Sequence, residues 1–465
     1  MARPWPWSRA GQGTNRLDPS RPDLTRPGNE RGGRFGNLRY WLTPGMGVKR
    51  HIAGMAAGVF VLLVGALLWA LWLWDKGLLL GPLESTLGRS PLWPRLGGPA
   101  ALLLLVGGGA LAVGAVGRLN RSLLSNWMPK PRDAAVLLHR RVSLAKGPRL
   151  VAFGGGTGLS NLLRGLRHYT SNITAVVTVS DDGGSSGRLR EAFGIPAPGD
   201  LTDVLAALSD NELHVSQLLE HRYVRGSDLK GHTFGNLLIT TLTEVEGDFA
   251  RAVRVLNSIL NICGAVYPVT TEPTTLKVVK TSGAVVRGES LVRETPGAVW
   301  EVTLEPPAPA LVPDVGLALA AADVIVLGPG SLFTSTLPPL LVPGAREAVR
   351  ASSAALVYVC NVMTEAGETD GFSAWDHVAA LYRHLGRYPD WVVVNTGVVN
   401  PERLERYRAE GAEVVVFDPA PFAAAGIEVA TLNLLSGGAQ AGHDSARLAR
   451  WLYAFCKQVR ASASA

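Results

Sequence analysis

Cysteine is nearly absent: the 465-residue chain holds only Cys263, Cys360 and Cys456. They are far apart and lie in apolar segments, which excludes a disulfide framework and a thiol-rich metal spacing and leaves them as structural residues of a reduced compartment. Net charge is also missing once the first 50 residues are set aside. That stretch carries ten Arg or Lys against Asp18, Asp23 and Glu30, the whole of the formal +7, and leaves 35 basic and 35 acidic groups in the rest. A neutral body has no electrostatic footprint for DNA or RNA, so nucleic acid is not an expected partner. There is no internal repeat. The glycine-rich segments have no Walker A lysine and no complete G-x-G-x-x-G spacing, which argues against a P-loop nucleotide triphosphatase and a standard dinucleotide domain.

What the chain does have begins with long uncharged runs. Residues 1–50 are rich in Arg, Pro and Gly without hydrophobic period and read as a disordered basic tail. Residues 52–74 then run 23 positions without a charge, enough at 1.5 Å per residue to cross a hydrocarbon core of about 30 Å. A second uncharged stretch, 96–117, is interrupted by Pro99 and Gly107–Gly109 but is apolar throughout 101–116. A signal peptide would start earlier and be shorter; a buried core helix would not carry Trp69, Trp72 and Trp74 at one end. Together these runs predict a two-helix transmembrane hairpin. Arginine is in excess before the first run, and Arg118, Arg121, Lys130 and Arg132 follow the second. The positive-inside rule places both termini in the cytoplasm and the protein in the inner membrane. Residues 119–147 read as a linker.

From residue 148 to 459 short β-branched runs alternate with helical stretches. Segments 150–153, 173–179, 324–327, 356–360, 391–394 and 413–417 read as buried parallel strands, the signature of an α/β, Rossmann-like, doubly wound sheet. Segments 276–280, 284–286 and 299–304 look like a small antiparallel insertion, either a cover for a cleft or a plain surface flap. Residues 444–459 read as a closing amphipathic helix.

Ligands of such sheets bind beyond the carboxyl ends of the strands. The turn Gly154-Gly155-Gly156-Thr157-Gly158 precedes a predicted helix over 161–169 and offers backbone N–H groups to an anion, though a tight packing turn is the alternative. The turn Ser180-Asp181-Asp182-Gly183-Gly184-Ser185-Ser186-Gly187-Arg188 joins two carboxylates to a guanidinium, a combination suited to Mg²⁺ and the phosphates it neutralises. Asp200 reads as a helix N-cap. His232 and Asn236 mark another helix start, where a structural histidine is the commoner case. Gly328-Pro329-Gly330-Ser331 reads as a repeat of the strand–glycine–helix device and a second anion site. Asn361, Thr364, Glu365, Glu368 and Thr369 follow the next strand and Asn395 the one after, polar ends able to complete a sugar or base pocket.

Five segments, GGGTGLSNLLRGLR (154–167), ITAVVTVSDDGGSSGRLR (173–190), GHTFGNLL (231–238), GPGSLFTSTLPPLLV (328–342) and NVMTEAGETDGFSAWDH (361–377), resemble the CofD-like family, and within it the YvcK gluconeogenesis-factor branch. The resemblance spans about 148–459. It implies a Rossmann-like fold that binds a UDP-sugar such as UDP-N-acetylglucosamine and supports cell-wall synthesis and cell shape. The related CofD enzymes are Mg²⁺-using 2-phospho-L-lactate transferases, the alternative activity it implies. By resemblance Gly155, Gly156, Thr157 and Gly158 contact phosphate, Asp181 and Asp182 occupy the metal or reaction position, and His232, Asn236, Gly330 and Ser331 line the nucleotide cleft. Arg188, Asn361 and Asn395 are further candidates from the strand-end reading. One departure stands out: the family follows Pro-Gly-Asp with Arg-Asn, whereas here Asp200-Leu201 precedes Thr202-Asp203, a cation lost and a carboxylate gained. Expected partners are the nucleotide sugar, the membrane and a second copy of the chain.

Overall fold

A computed structural model describes residues 48–76, 93–125, 134–437 and 442–464. The expected disordered tail falls almost wholly outside them, as do the connection between the apolar runs and part of the linker. The chain divides into two compact units, Met1–Leu137 and Leu138–Ala465.

In the first unit the uncharged runs form helices Val48–Asp75 and Trp93–Ser125. Within them the stretches Arg50–Trp74 and Arg95–Leu123 are long and apolar enough to cross a membrane, and only 11% and 17% of their most apolar windows is buried, unlike the core helix of a soluble protein. Neither Pro99 nor Gly107–Gly109 breaks the second helix. The glycines instead bring the helix backbones together: a Cβ on Gly58 would lie 2.6 Å from the Ala112 nitrogen, and one on Gly108 2.6 Å from that of Leu62. Small residues at such crossings let two helix backbones approach closely.

The second unit is built on a seven-stranded parallel sheet. Its strands are β1 (Leu150–Gly154), β2 (Ile173–Val177), β3 (Ala265–Pro268), β7 (Val324–Leu327), β8 (Ala355–Val359), β9 (Trp391–Asn395) and β10 (Glu428–Leu432). Their spatial order is β10-β9-β8-β7-β1-β2-β3. Every residue of β1 and β7 is buried, which is why both read as unbroken apolar runs. From β1 the chain winds outward through β2 and β3, then returns to β7 on the other side of β1 and winds outward again. The strand order therefore reverses between β1 and β7, which pair in register from Leu150↔Val324 to Phe153↔Leu327. β4 (Thr275–Lys280), β5 (Val285–Arg287) and β6 (Val299–Glu305) form the separate antiparallel sheet, with a short helix, Ser290–Glu294, between β5 and β6.

The expected strand over 413–417 is not in the sheet: Val414 makes only an isolated bridge to Met363, and Val414 and Val416 are exposed. Its apolar run packs Val415 and Phe417 inward but outside the sheet, and the position beside β9 belongs to Glu428–Leu432, whose mixed composition hides it. β3 was likewise concealed, at the end of a helical stretch.

Candidate functional site

The first glycine turn is tighter than its sequence implies. The helix after β1 spans Gly156–Leu166, starting five residues before the predicted 161, so Gly156, Thr157 and Gly158 form its first turn, and their N–H groups are among those with no intrahelical acceptor. The second glycine segment does not repeat this device. After β7 come Gly328 and Gly330 with φ of +74° and +148°, then a π-helical turn, Leu332–Thr336, and the four-residue helix Pro338–Leu341. Pro338 and Pro339 fill the first two positions of that helix and carry no N–H, so its N-terminus lacks the donors that the first glycine turn offers.

The two segments meet at the point where strand order reverses. A Cβ on Gly158 would lie 2.3 Å from the Pro329 carbonyl oxygen and 2.8 Å from the Gly330 Cα, so this approach requires glycine. Beyond the contact opens a cavity of about 1180 Å³. Gly155, Gly156, Thr157, Gly158, Gly330, Ser331 and Asn361 line it, joined by residues the sequence did not single out: Asn161, Arg164, Arg293, Tyr407 and His443. Asn361 accepts from the Gly330 N–H (3.4 Å) and donates to Glu365 (3.3 Å), tying the β8 turn to the β7 turn. His443 is buried with Nε2 3.1 Å from the Cys360 carbonyl oxygen, and burial pushes its pKa down to about 4, so at neutral pH it is uncharged.

Carboxylates crowd the floor. Asp200 is not an N-cap; Pro198 holds that position, and Asp200 lies in the first turn of the helix Gly199–Leu208. Its oxygens lie against Gly155 and Gly156, whose Cβ positions would be 2.6 and 2.7 Å from them. Burial, then the charges of Asp181 and Asp203, push the Asp200 pKa up to about 7, with the Gly156 N–H opposing the rise. Burial and Glu220 push Asp203 up to about 6. Glu289, at the start of the insertion helix, is also raised by burial and by Asp200 and Asp181, and its Oε2 is buried without a hydrogen-bond partner.

The adjacent Asp181 and Asp182 diverge. Asp181 accepts from the Gly183 N–H at 2.8 Å, and its other oxygen lies 3.2 Å from the Gly199 Cβ position, towards Asp200. Asp182 accepts from the Ser290 N–H at 2.9 Å and thus holds the antiparallel insertion. Among the described residues no three His, Cys, Asp or Glu converge as a ready metal site. Asp181 facing Asp200 fits a cation better than Asp181 beside Asp182.

The remaining candidates lie outside the cavity wall. His232 Nδ1 is 3.0 Å from the Ser185 hydroxyl, and Asn236 donates to Ser185 (3.1 Å) and Ser186 (3.3 Å), a buried network behind the Asp181 turn. Burial, then Arg188 and Arg222, lower the His232 pKa. Arg188 donates to the Lys230 carbonyl at 3.3 Å. Asn395 spends its amide on Gly397 and the Leu434 N–H, closing a turn after β9.

Known proteins match this arrangement. The family model "2-phospho-L-lactate transferase CofD" matches residues 150–435. A Deinococcus radiodurans protein, provisionally named a gluconeogenesis factor, is 44% identical over 416 residues, 87% of this chain and 86% of its own. The "Gluconeogenesis factor" of Bacillus subtilis is 43% identical over 287 residues, covering 62% of this chain and 90% of its own. A Bacillus halodurans crystal structure superposes with a TM-score of 0.64 at 41% identity, over 66% of this chain and 99% of that one.

Proposed function

Because the chain belongs to the CofD family, in its gluconeogenesis-factor branch, we propose that it is a nucleotide-sugar-binding regulator at the inner membrane that supports cell-wall synthesis and cell shape. The observation that carries this reading is the abutment of Gly158 with Pro329 and Gly330 at the reversal of strand order, which aims a helix N-terminus into the cavity. A phosphate group belongs at that N-terminus. The cavity exceeds the range of about 300–1,000 Å³ usual for small-molecule sites, more than a phosphorylated three-carbon acid needs and enough for a base, a diphosphate and a sugar. UDP-N-acetylglucosamine is the expected ligand. In this reading the hairpin anchors the chain in the membrane, with the ligand-binding unit in the cytoplasm.

The acidic floor favours a second reading, a Mg²⁺-dependent 2-phospho-L-lactate transferase-like enzyme. A phosphate beside Asp200 faces like charge, which a cation held by Asp181 and Asp200 would neutralise. A bound Mg²⁺ would supply charge neutralisation at the phosphates; Asp203 and Glu289 would tune how readily Asp200 gives up its proton.

Calorimetric titration with UDP-N-acetylglucosamine, with and without Mg²⁺, separates the readings. The regulator binds saturably and leaves the ligand intact; Gly158→Ala, which drives a methyl into the Pro329 carbonyl, abolishes binding. Nucleotide release on adding phospholactate would instead establish the transferase, and unchanged affinity in Gly158→Ala would move the ligand away from the glycine turns.

A further inference from the structure

Three basic side chains line the cavity, and His443 is neutral, so an anionic ligand has Arg164 and Arg293 to meet. Arg164 shares Glu212 with Arg167, at 2.5 and 2.7 Å, a group of net positive charge. Arg293 is placed differently. It projects from the insertion helix Ser290–Glu294 and donates through Nη2 to Ser331 (2.9 Å) and Glu365 (3.2 Å), and through Nε to Glu368 (3.1 Å). One guanidinium between two carboxyl groups leaves that corner without net positive charge, next to the Gly330 and Ser331 backbone. Ser331 also donates to the same Glu365 oxygen at 2.5 Å, so Glu365 holds the place an incoming phosphate oxygen would take.

We infer that Arg293 is a ligand-exchanged latch: an anionic group entering beside Gly330 and Ser331 displaces Glu365 from the Arg293 guanidinium, while Glu368 keeps its bond. Exposure decides which carboxylate yields. Glu365 is 25% exposed and lines the cavity, whereas Glu368 is fully buried and also accepts from Thr334 at 3.3 Å. The Arg293 side chain is 62% exposed, open to a new partner. The helix that carries it is fixed from below by the buried Lys280 ammonium, which donates to the Val292 carbonyl (2.7 Å), to that of Gly297 (3.1 Å) and to that of Gly367. The exchange is therefore a side-chain event on an anchored helix. A guanidinium suits it, because its forked donors serve Glu368 and a phosphate together. The latch rests on the proposed function for where the ligand sits, not for which nucleotide sugar it is.

Glu365→Gln and Arg293→Gln predict opposite signs. In the full-length chain in detergent, titrated with UDP-N-acetylglucosamine and separately with inorganic pyrophosphate, Glu365→Gln removes the competitor and tightens both about 10-fold, while Arg293→Gln weakens both by about 10- to 100-fold. Arg293→Lys recovers only part of the loss. A purely structural ion pair gives weaker binding in both variants, and that result overturns the latch. If pyrophosphate shows the pattern and the nucleotide sugar does not bind, the latch stands and the proposed ligand falls. If the nucleotide sugar binds with both variants neutral, the ligand stands and the latch falls. Binding of neither probe removes both.

Discussion

Asp200 shows what one residue can and cannot reveal in sequence. Following Pro-Gly, it has the pattern of an N-cap, and only the fold places its carboxylate against Gly155 and Gly156 with Asp181 and Asp203 around it. A carboxyl whose pKa rises on folding binds more protons in the native chain than in the unfolded one between the two values. Stability contributed by Asp200 is therefore fully present near pH 4 and is lost as pH rises to about 7, and Asp203 adds to the loss up to about 6. The wild-type melting temperature is expected to fall as pH rises from about 4 to about 7, while Asp200→Asn flattens the profile and is the more stable at pH 8, by on the order of 2–4 kcal/mol at most. Millimolar Mg²⁺ that raises the wild-type melting temperature at pH 8, but not that of Asp200→Asn, would support a cation at Asp181 and Asp200; an equal rise in both would remove it. Arg293 and His443 were invisible for a simpler reason: Arg293 sits on the insertion helix and His443 follows β10, a strand the sequence hides, and each reaches the cavity from a segment more than 130 positions from the first glycine turn.

Elements were legible where burial is complete. β1 and β7 are buried at every position, β2 and β8 at all but one and β9 at all but its two ends, so their runs are almost wholly apolar and the periodicity has nothing else to mean. It failed at the sheet's rim. Glu428–Leu432 is an edge strand with one buried residue, Ala430, whereas 413–417 is more apolar and lies outside. The antiparallel insertion was legible as strands but not as a wall of the site, since its attachment depends on Lys280, a charge that the alternating pattern of β4 alone places on a buried face. Burial lowers the Lys280 pKa, and three carbonyls satisfy its donors. Lys280→Met keeps the stem but strands those acceptors, each worth about 1–3 kcal/mol when left unpaired. Urea unfolding of the variant is expected to lose roughly 2–4 kcal/mol, with faster amide exchange over residues 275–305 than elsewhere; uniform loss without local exchange would mean that the insertion is not held there.

The two units of the whole molecule differ in how far the likenesses reach. The Bacillus halodurans structure accounts for 99% of its own chain while matching 66% of this one, a span that fits within Leu138–Ala465. The Deinococcus radiodurans likeness covers 87% of the chain and so extends into Met1–Leu137. Two consequences follow from separate units. A fragment of residues 138–465 should fold alone, bind ligand with the full-length affinity and remain in the supernatant after high-speed centrifugation. The full chain should stay in the membrane pellet through an alkaline carbonate wash, because the helices Val48–Asp75 and Trp93–Ser125 expose Phe60, Leu63, Leu67, Leu103, Val106 and Val113, apolar area that water disfavours and hydrocarbon does not. Release by carbonate would show that these faces are covered by protein. Retention would leave their close backbone crossing to be tested in place: Gly108→Leu sets a side chain into the Leu62 backbone and should split the hairpin, read as lost proximity between labels placed on the two helices, while ligand affinity of the second unit stays unchanged.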